Sequence, residues 1–288
     1  MRRQTIAVAS GKGGTGKTTV ALNLAFAAGR PVTLADCDVE EPNAHLFLQP
    51  QWEKSVPICV LNPQVDEDKC NGCGACQAHC RFNALGVFGG KPLLFSELCH
   101  SCGACVRACP TGALREEPRA IGTLEAGVAG HIRLIHGRLN VGEAKSPPLI
   151  EAVRQKARED GEEQVIVDAP PGTSCPVISA VKGVDYLVLV TEPTSFGLHD
   201  LQLAVELARD LRLPVGVVVN RAGIGDGGVQ EYCAAAGVPI LAELPFDPRV
   251  ARLYSEGRIA SQELPEYRER FAGLLSRLLS LSREGAAG

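Results

Sequence analysis

The sequence predicts a doubly wound α/β fold with a mostly parallel sheet, interrupted by a small inserted α+β module rich in cysteine. Three observations carry this. Short runs of Val, Ile and Leu recur along the 288-residue chain with helical stretches between them, the pattern of strands buried on both faces of a parallel sheet. A glycine-rich loop joins the first such run to the first helical stretch. Eight of the twelve cysteines fall between Cys70 and Cys109, where long periodic segments are lacking.

In chain order, residues 4–9 form a β-branched strand, residues 10–18 a loop, and residues 19–28 a helix bearing Leu22, Leu24 and Phe26. Residues 31–35 make a second strand and 56–61 a third; 131–135 form a further strand candidate. Strands follow at 164–167, 186–190, 215–219 and 240–244, with helices at 149–159, 198–211 and 229–236. This alternation predicts βαβ units. The last helix, 266–281, places Phe271, Leu274, Leu275, Leu278 and Leu279 on one face, as a closing helix packed on the sheet requires; a membrane-surface helix is the alternative. Residues 283–288 are expected to be disordered. Because the chain enters 62–119 from a strand and later resumes the alternation, that stretch is read as an insertion dividing one domain into residues 1–61 and 120–288.

Composition limits the partners. Apolar residues make up 45% and charged residues 22%, with a formal net charge of -4. A sizeable core is available, and nucleic acid is not expected as a partner. No apolar run approaches the roughly 18 residues of a membrane helix, and the basic start is followed too soon by Lys12 to read as a secretory signal. The expectation is a cytoplasmic chain with reduced thiols. Twelve cysteines there point to metal or redox chemistry rather than to disulfides.

Residues 11–18 read GKGGTGKT, matching the phosphate-loop spacing. Its residue types follow from the chemistry. Gly11, Gly13, Gly14 and Gly16 let backbone N–H groups, with that of Thr15, turn toward phosphate oxygens. The helix beginning at Thr18 and Thr19 adds its positive end. Lys17 reaches the β- and γ-phosphates, and the Thr18 hydroxyl can ligate Mg²⁺. ATP and Mg²⁺ are therefore the expected ligands.

The insertion contains a repeat. Cys70, Cys73, Cys76 and Cys80 recur 29 residues later as Cys99, Cys102, Cys105 and Cys109, Gly74-Ala75 as Gly103-Ala104, and Ala84-Leu85 as Ala113-Leu114. Both runs match the bacterial two-cluster ferredoxin pattern, in which the fourth cysteine of each run ligates the other cluster. The match implies two 4Fe-4S clusters, one on Cys70, Cys73, Cys76 and Cys109 and one on Cys99, Cys102, Cys105 and Cys80. Zinc is the alternative for any single CxxC pair. Arg81 stands where many ferredoxins have a proline.

Lys12 near the start of the loop marks the deviant form of the phosphate motif, and here the sequence resembles the family of MinD, ParA, Mrp and the nitrogenase iron protein. The resemblance implies ATP hydrolysis by a nucleotide-dependent homodimer, or a heterodimer with a paralogue, in which Lys12 contacts nucleotide across the interface. It further implies that Asp38 orients or activates the attacking water while Asp36 supports the Mg²⁺ shell. Asp168, at the end of Val165-Ile-Val-Asp168, makes a water-mediated Mg²⁺ contact, and Gly172 supplies an N–H to the γ-phosphate. Lys12, Lys17 and Asp38 are thus the expected catalytic residues. Asn220 is read as an adenine contact or as a turn residue, and Pro245-Phe-Asp247 likewise as a base-side loop or a turn.

Cys175, seven residues after Asp168, lies near where the iron protein has a cluster cysteine; a buried structural cysteine is the other reading. Cys37, Cys59 and Cys233 are read as core or near-core residues. As a whole the chain resembles MinD-superfamily ATPases with an inserted ferredoxin domain. The implied function is ATP-gated electron transfer to a redox partner protein. An Mrp-type cluster carrier and a MinD- or ParA-type spatial organiser are the alternatives, the last resting on membrane contact through the C-terminal helix, which is not expected.

Overall fold

The chain begins with β1 (Gln4–Ala9), α1 (Lys17–Ala27), β2 (Val32–Asp36), α2 (Ala44–Leu48) and a long β3 (Gln51–Val65). Four short elements follow, α3 (Ala75–His79), β4 (Leu85–Phe88), β5 (Lys91–Leu94) and α4 (Ala104–Ala108). The chain returns along β6 (Leu114–Ala129) and β7 (Ile132–Leu139). It then alternates through α5 (Pro147–Glu159), β8 (Gln164–Asp168), α6 (Cys175–Val181), β9 (Tyr186–Thr191), α7 (Ser195–Asp210), β10 (Val215–Ala222), α8 (Gly228–Ala236) and β11 (Ile240–Pro245). Helices α9 (Pro248–Ser255), α10 (Ala260–Glu263) and α11 (Pro265–Glu284) close the fold. These elements come from a computed structural model that describes residues 3–160, 162–225 and 227–284.

The main sheet has the order β11-β10-β9-β1-β8-β2-β7-β6-β3. Strands β11 through β7 run parallel, and β6 and β3 add an antiparallel edge. Period-two alternation sorts side chains onto two faces. Ala7, Val165, Val167, Leu187, Leu189 and Val217 pack with α5–α8, while Ile6, Val8, Ile166, Val188 and Val218 pack with α1 and α9–α11. This double covering is why the strands lack polar alternation in sequence. Phe271, Leu274, Leu275, Leu278 and Leu279 of α11 are buried in the second layer, each stabilising it by roughly 1.5–3 kcal/mol. The C-terminal helix is thus a closing helix. It continues through Arg283 and Glu284, which corrects the expected disorder there, while residues 285–288 lie outside the described residues.

The β3–β6 pair departs most from the sequence reading. Residues 51–65 form one strand rather than a short one at 56–61, and β6 was not anticipated. Gly122 and Gly127 sit inside β6. A Cβ at either would lie 2.5 Å from a backbone oxygen, that of Arg138 or Gln51, on an adjoining strand. They are close-packing positions, not turns. Of β6, only Gly122–Ala129 pairs with β7. Beyond it, the pairs Cys59↔Ala120 through Val65↔Leu114 extend as a two-stranded ribbon.

At the ribbon's tip, residues 66–113 fold with the 29-residue repeat visible in three dimensions. Helices α3 and α4 are equivalent positions of the two halves, each entered through a left-handed glycine, Gly74 and Gly103. Val65↔Leu114 and Leu94↔Leu85 are equivalent antiparallel pairs. The amide of Asp66 donates to the Ala113 carbonyl at 2.7 Å, and that of Phe95 to Ala84 at 2.8 Å. A separate small core joins the halves through Cys76, Cys105, Leu85 and Leu114.

Since this core is separate from both layers of the main sheet, replacing residues 66–113 by a two-residue Asn-Gly turn between Val65 and Leu114 should leave the main sheet folded. Circular dichroism and a single cooperative thermal transition, within a few degrees of the full chain's, would check this.

Candidate nucleotide and cysteine sites

The phosphate loop follows β1, at the centre of the sheet. Gly11 packs against α7 so closely that a Cβ would lie 2.3 Å from the Asp200 carbonyl oxygen. Gly16 has φ 97 and ends the loop at the N-terminus of α1; its left-handed backbone suits glycine alone among ordinary residues. Lys17 and Thr15 are buried, and the Thr15 hydroxyl oxygen lacks a hydrogen-bond partner. The Ser10 hydroxyl donates to the Lys12 carbonyl at 2.5 Å. Gly13 and Gly14 are exposed, and Lys12, Thr18 and Thr19 are half-buried.

Asn220 meets the loop at Thr15, whose carbonyl accepts from its Nδ2 at 2.8 Å; its Oδ1 accepts from the Arg221 amide at 3.0 Å. It therefore braces the loop, a role sequence reasoning did not assign. Asp247 of the late loop caps α9, accepting from the Arg249 amide at 2.9 Å and from the Tyr267 hydroxyl at 3.1 Å. That makes it the helix cap and turn residue of the alternative reading.

Three acids face this loop. Asp36 and Asp168 end the neighbouring strands β2 and β8, in register with each other, and both are buried. Asp36 is held by three backbone amides, those of Asp38, Asn43 and Ala44, each at 3.1 Å. It thereby ties the loop after β2 to the start of α2. Both oxygens of Asp168 are buried without a hydrogen-bond partner. Burial pushes the Asp36 carboxyl up to about 7, against the pull of the Ala44 amide. Burial and the adjacent Asp36 push Asp168 well up, with Thr18 and Lys17 opposing. Asp38 is raised by burial and pulled down by Lys17. One lysine thus faces several carboxylates, and orphaned buried oxygens invite a cation. Among the described residues no group of three or more His, Cys, Asp or Glu side chains can hold a metal ion. Mg²⁺ does not require one, since it keeps waters and takes one or two protein oxygens beside phosphate. Thr18 and Asp168 fit that demand, while the Asp36 oxygens are occupied by backbone amides. The amide of Gly172 donates to the Ser10 carbonyl at 3.0 Å, so the loop after β8 is held to the phosphate loop.

Eight cysteines line two cavities in the tip module. One is lined by Cys70, Cys73, Cys76 and Cys109, and the other by Cys99, Cys102, Cys105 and Cys80. In each set the fourth cysteine comes from the other repeat. The cause is local. Cys80 and Cys109 end α3 and α4 with extended backbone, which carries each across the packed helix pair. Cys37 and Cys233 are buried, as expected. Cys59 is exposed, which corrects the core reading, because it sits on the ribbon rather than on the covered sheet. Cys175 is also exposed, at the start of α6, so the buried structural reading is corrected as well.

A central parallel sheet, a glycine loop at a helix N-terminus and acids on neighbouring strand ends define a P-loop nucleotide-binding protein. The chain belongs to the CobQ/CobB/MinD/ParA nucleotide binding domain family, whose model matches residues 6–260. An uncharacterised protein of Methanocaldococcus jannaschii is 35% identical over 250 residues, 86% of each chain. A cytosolic Fe-S cluster assembly factor Nubp2 homolog of Anopheles gambiae is 29% identical over 140 residues, covering 42% of this chain and 54% of that protein. Among solved structures, the septum site-determining protein MinD of Pyrococcus horikoshii, complexed with Mg-ADP, superposes with a TM-score of 0.61 at 20% identity over 99% of each chain. The MinD of Pyrococcus furiosus gives 0.60 at 21%, covering 98% of this chain and 100% of that one. These structures share the fold. No helix among the described residues is long and apolar enough to cross a membrane.

Two predictions follow from the packing and charge of the site. Gly11→Ala, which forces Cβ into the α7 backbone, should cost at least about 1–3 kcal/mol and weaken ATP binding more than tenfold, by urea unfolding and by nucleotide titration. Asp168 keeps its proton in the folded state at pH values where the unfolded chain has released it, so its contribution falls as pH rises above about 4. Asp168→Asn should therefore stabilise the Mg²⁺-free, nucleotide-free protein. Its urea midpoint should exceed the parent's by a margin that grows between about pH 4 and pH 7.

Proposed function

We propose that this protein is an ATP-hydrolysing iron–sulfur protein in which nucleotide binding controls electron transfer through the tip module. The observation that carries this reading is the gathering of the eight cysteines into two cross-shared sets of four, each around one cavity. The thiolate donors and the repeated helix pair suit a two-cluster, ferredoxin-like inserted domain. The clusters would supply one-electron carriage. Zinc, which gathers its sulfurs about 2.3 Å from one point, is the alternative that iron and sulfide analysis separates.

The chain's own residues supply the coupling. Lys17 and the loop amides bind phosphate, Thr18 and Asp168 hold Mg²⁺ directly or through water, and Asp38 orients the attacking water. Asp36 acts one step back, by fixing the amides of Asp38, Asn43 and Ala44. The segment after Asp38 runs through α2 straight into β3, so a shift of the loop after β2 on nucleotide binding would be delivered to the ribbon. Binding of γ-phosphate at Gly172 would release its amide from Ser10. Lys12, at the loop surface, would reach nucleotide held by a second subunit, making the active form a homodimer or a heterodimer with a paralogue. Asn220 stands next to the loop, from where a base contact is a further role for it.

A second reading, an Mrp-type iron–sulfur carrier, is favoured by the exposure of Cys175 at the start of α6, seven residues after Asp168, and by the partial similarity to the Nubp2 homolog. The spatial-organiser reading loses its support, because the apolar face of α11 is buried.

The test is anaerobic purification with iron and sulfide analysis, then EPR-monitored redox titration with and without Mg-ATP. About eight irons per chain, and a potential or EPR line shape that changes with ATP, are expected. Tightly held clusters indifferent to nucleotide would overturn gating. A labile extra cluster lost on Cys175→Ala would favour the carrier.

A further inference from the structure

The two cysteine cavities are near-equivalent by repeat but not by surroundings. No charged side chain lines the first; the charged pairs of that half, Lys69–Asp66 and Lys91–Glu67, are exposed. The second receives a cation from outside the module. Lys145, in the loop between β7 and α5, donates from Nζ to the Ser96 carbonyl at 2.9 Å. That same oxygen accepts the amide of Cys99 at 3.3 Å. The ammonium of Lys145 and the first cysteine of the second set are thus joined through one carbonyl.

The loop that carries Lys145 is fixed to the sheet. The Asn140 amide donates to the Ile121 carbonyl at 2.9 Å and its Nδ2 to Ala120 at 3.1 Å. Glu143 pairs with Arg119 at 2.5 Å and accepts the Lys145 amide at 3.1 Å. Ser146 then opens α5, its carbonyl accepting the Leu149 and Ile150 amides. Every one of these contacts holds the lysine's backbone on the main sheet while its side chain crosses to the module. Glu143 is engaged by Arg119, so it does not fully neutralise Lys145. Burial and Arg119 lower the Lys145 ammonium, while Glu143, the Cys99 sulfur and Glu97 pull it up. Within the module, Glu116 lines this cavity and Arg107 donates from Nη2 to the Cys102 carbonyl at 3.1 Å, one charge of each sign. Lys145 is the further cation, brought in from outside the module.

We propose that Lys145 is a positioning residue that makes the group held by Cys99, Cys102, Cys105 and Cys80 the easier of the two to reduce. Adding an electron to a thiolate-held cluster adds negative charge, and a fixed cation nearby stabilises the reduced form more than the oxidised form. The first set has no matching cation, so the two potentials separate. The second site then collects the electron, and it is also the site whose first turn is bonded to the β7–α5 loop. This inference rests on the iron–sulfur reading above and deepens it.

The experiment is an EPR-monitored potentiometric titration, with dithionite as reductant, of the anaerobically purified full chain and of Lys145→Gln. Glutamine keeps a donor for Ser96 and removes the charge. Two one-electron waves are expected in the parent. In Lys145→Gln the higher wave should move negative by about 59 mV, a tenfold change in its reduced-to-oxidised ratio, while the lower wave stays in place. Lys145→Arg should keep the parent's pattern. Glu97→Gln, a surface change that leaves the lysine in place, should move the same wave the opposite way, and it serves if Lys145→Gln loses iron. Unchanged waves in both neutral variants, or an equal shift of both waves, would overturn the proposal. Absence of iron from the parent would instead sink the iron–sulfur reading itself, so the two failures are distinguishable.

Discussion

The antiparallel pairing of β3 with β6 is the constraint on which the rest of this architecture depends. A parallel sheet with helices on both faces has no room for a second small core within it. The ribbon resolves this by leaving the sheet edge beyond the end of β7, where its residues pair only with each other. The module is thereby outside the main core but not loosely tethered. Its two strands of attachment are hydrogen-bonded up to Val65 and Leu114, and these two residues are themselves part of the module's small core. A displacement at the base of the ribbon therefore has a stiff path to the cysteines.

At the other end of that path stands an electrostatic arrangement that is unfavourable on its own. Asp36 and Asp168 are buried side by side, with Lys17 and Thr18 as the nearest compensation. The backbone amides that satisfy Asp36 belong to the segment leading into α2 and the ribbon. The unsatisfied oxygens of Asp168 face the phosphate loop. Asp168 beside the phosphate loop and Asp36, which anchors the segment leading to α2 and β3, thus stand on adjacent strand ends, a single strand spacing apart.

Much of this was legible in the sequence because it is local. The phosphate loop, the strand that precedes it and the helix that follows it are contiguous. The 29-residue repeat and its match to the two-cluster ferredoxin pattern implied the crossed cysteine sets, whereas helices α3 and α4 are too short to leave a periodic signal. The two-faced sheet strands were readable from apolar runs. What escaped was non-local. Strand β6 carries glycines against which the adjoining strands press. Cys59 looks like core until the ribbon leaves the covered sheet. Asn220 braces the phosphate loop from 205 residues away.

By itself the sequence singled out the glycine loop and the two cysteine runs as candidate sites, and marked 62–119 off from the α/β alternation, because these signals depend on residue types at short spacing. Only the tertiary structure decided how the two are joined: a hydrogen-bonded ribbon rather than a flexible linker, and a lysine from the β7–α5 loop bonded to the turn that bears Cys99. Strand pairing and charge placement are set by residues far apart in sequence, and no local pattern encodes which of them will meet.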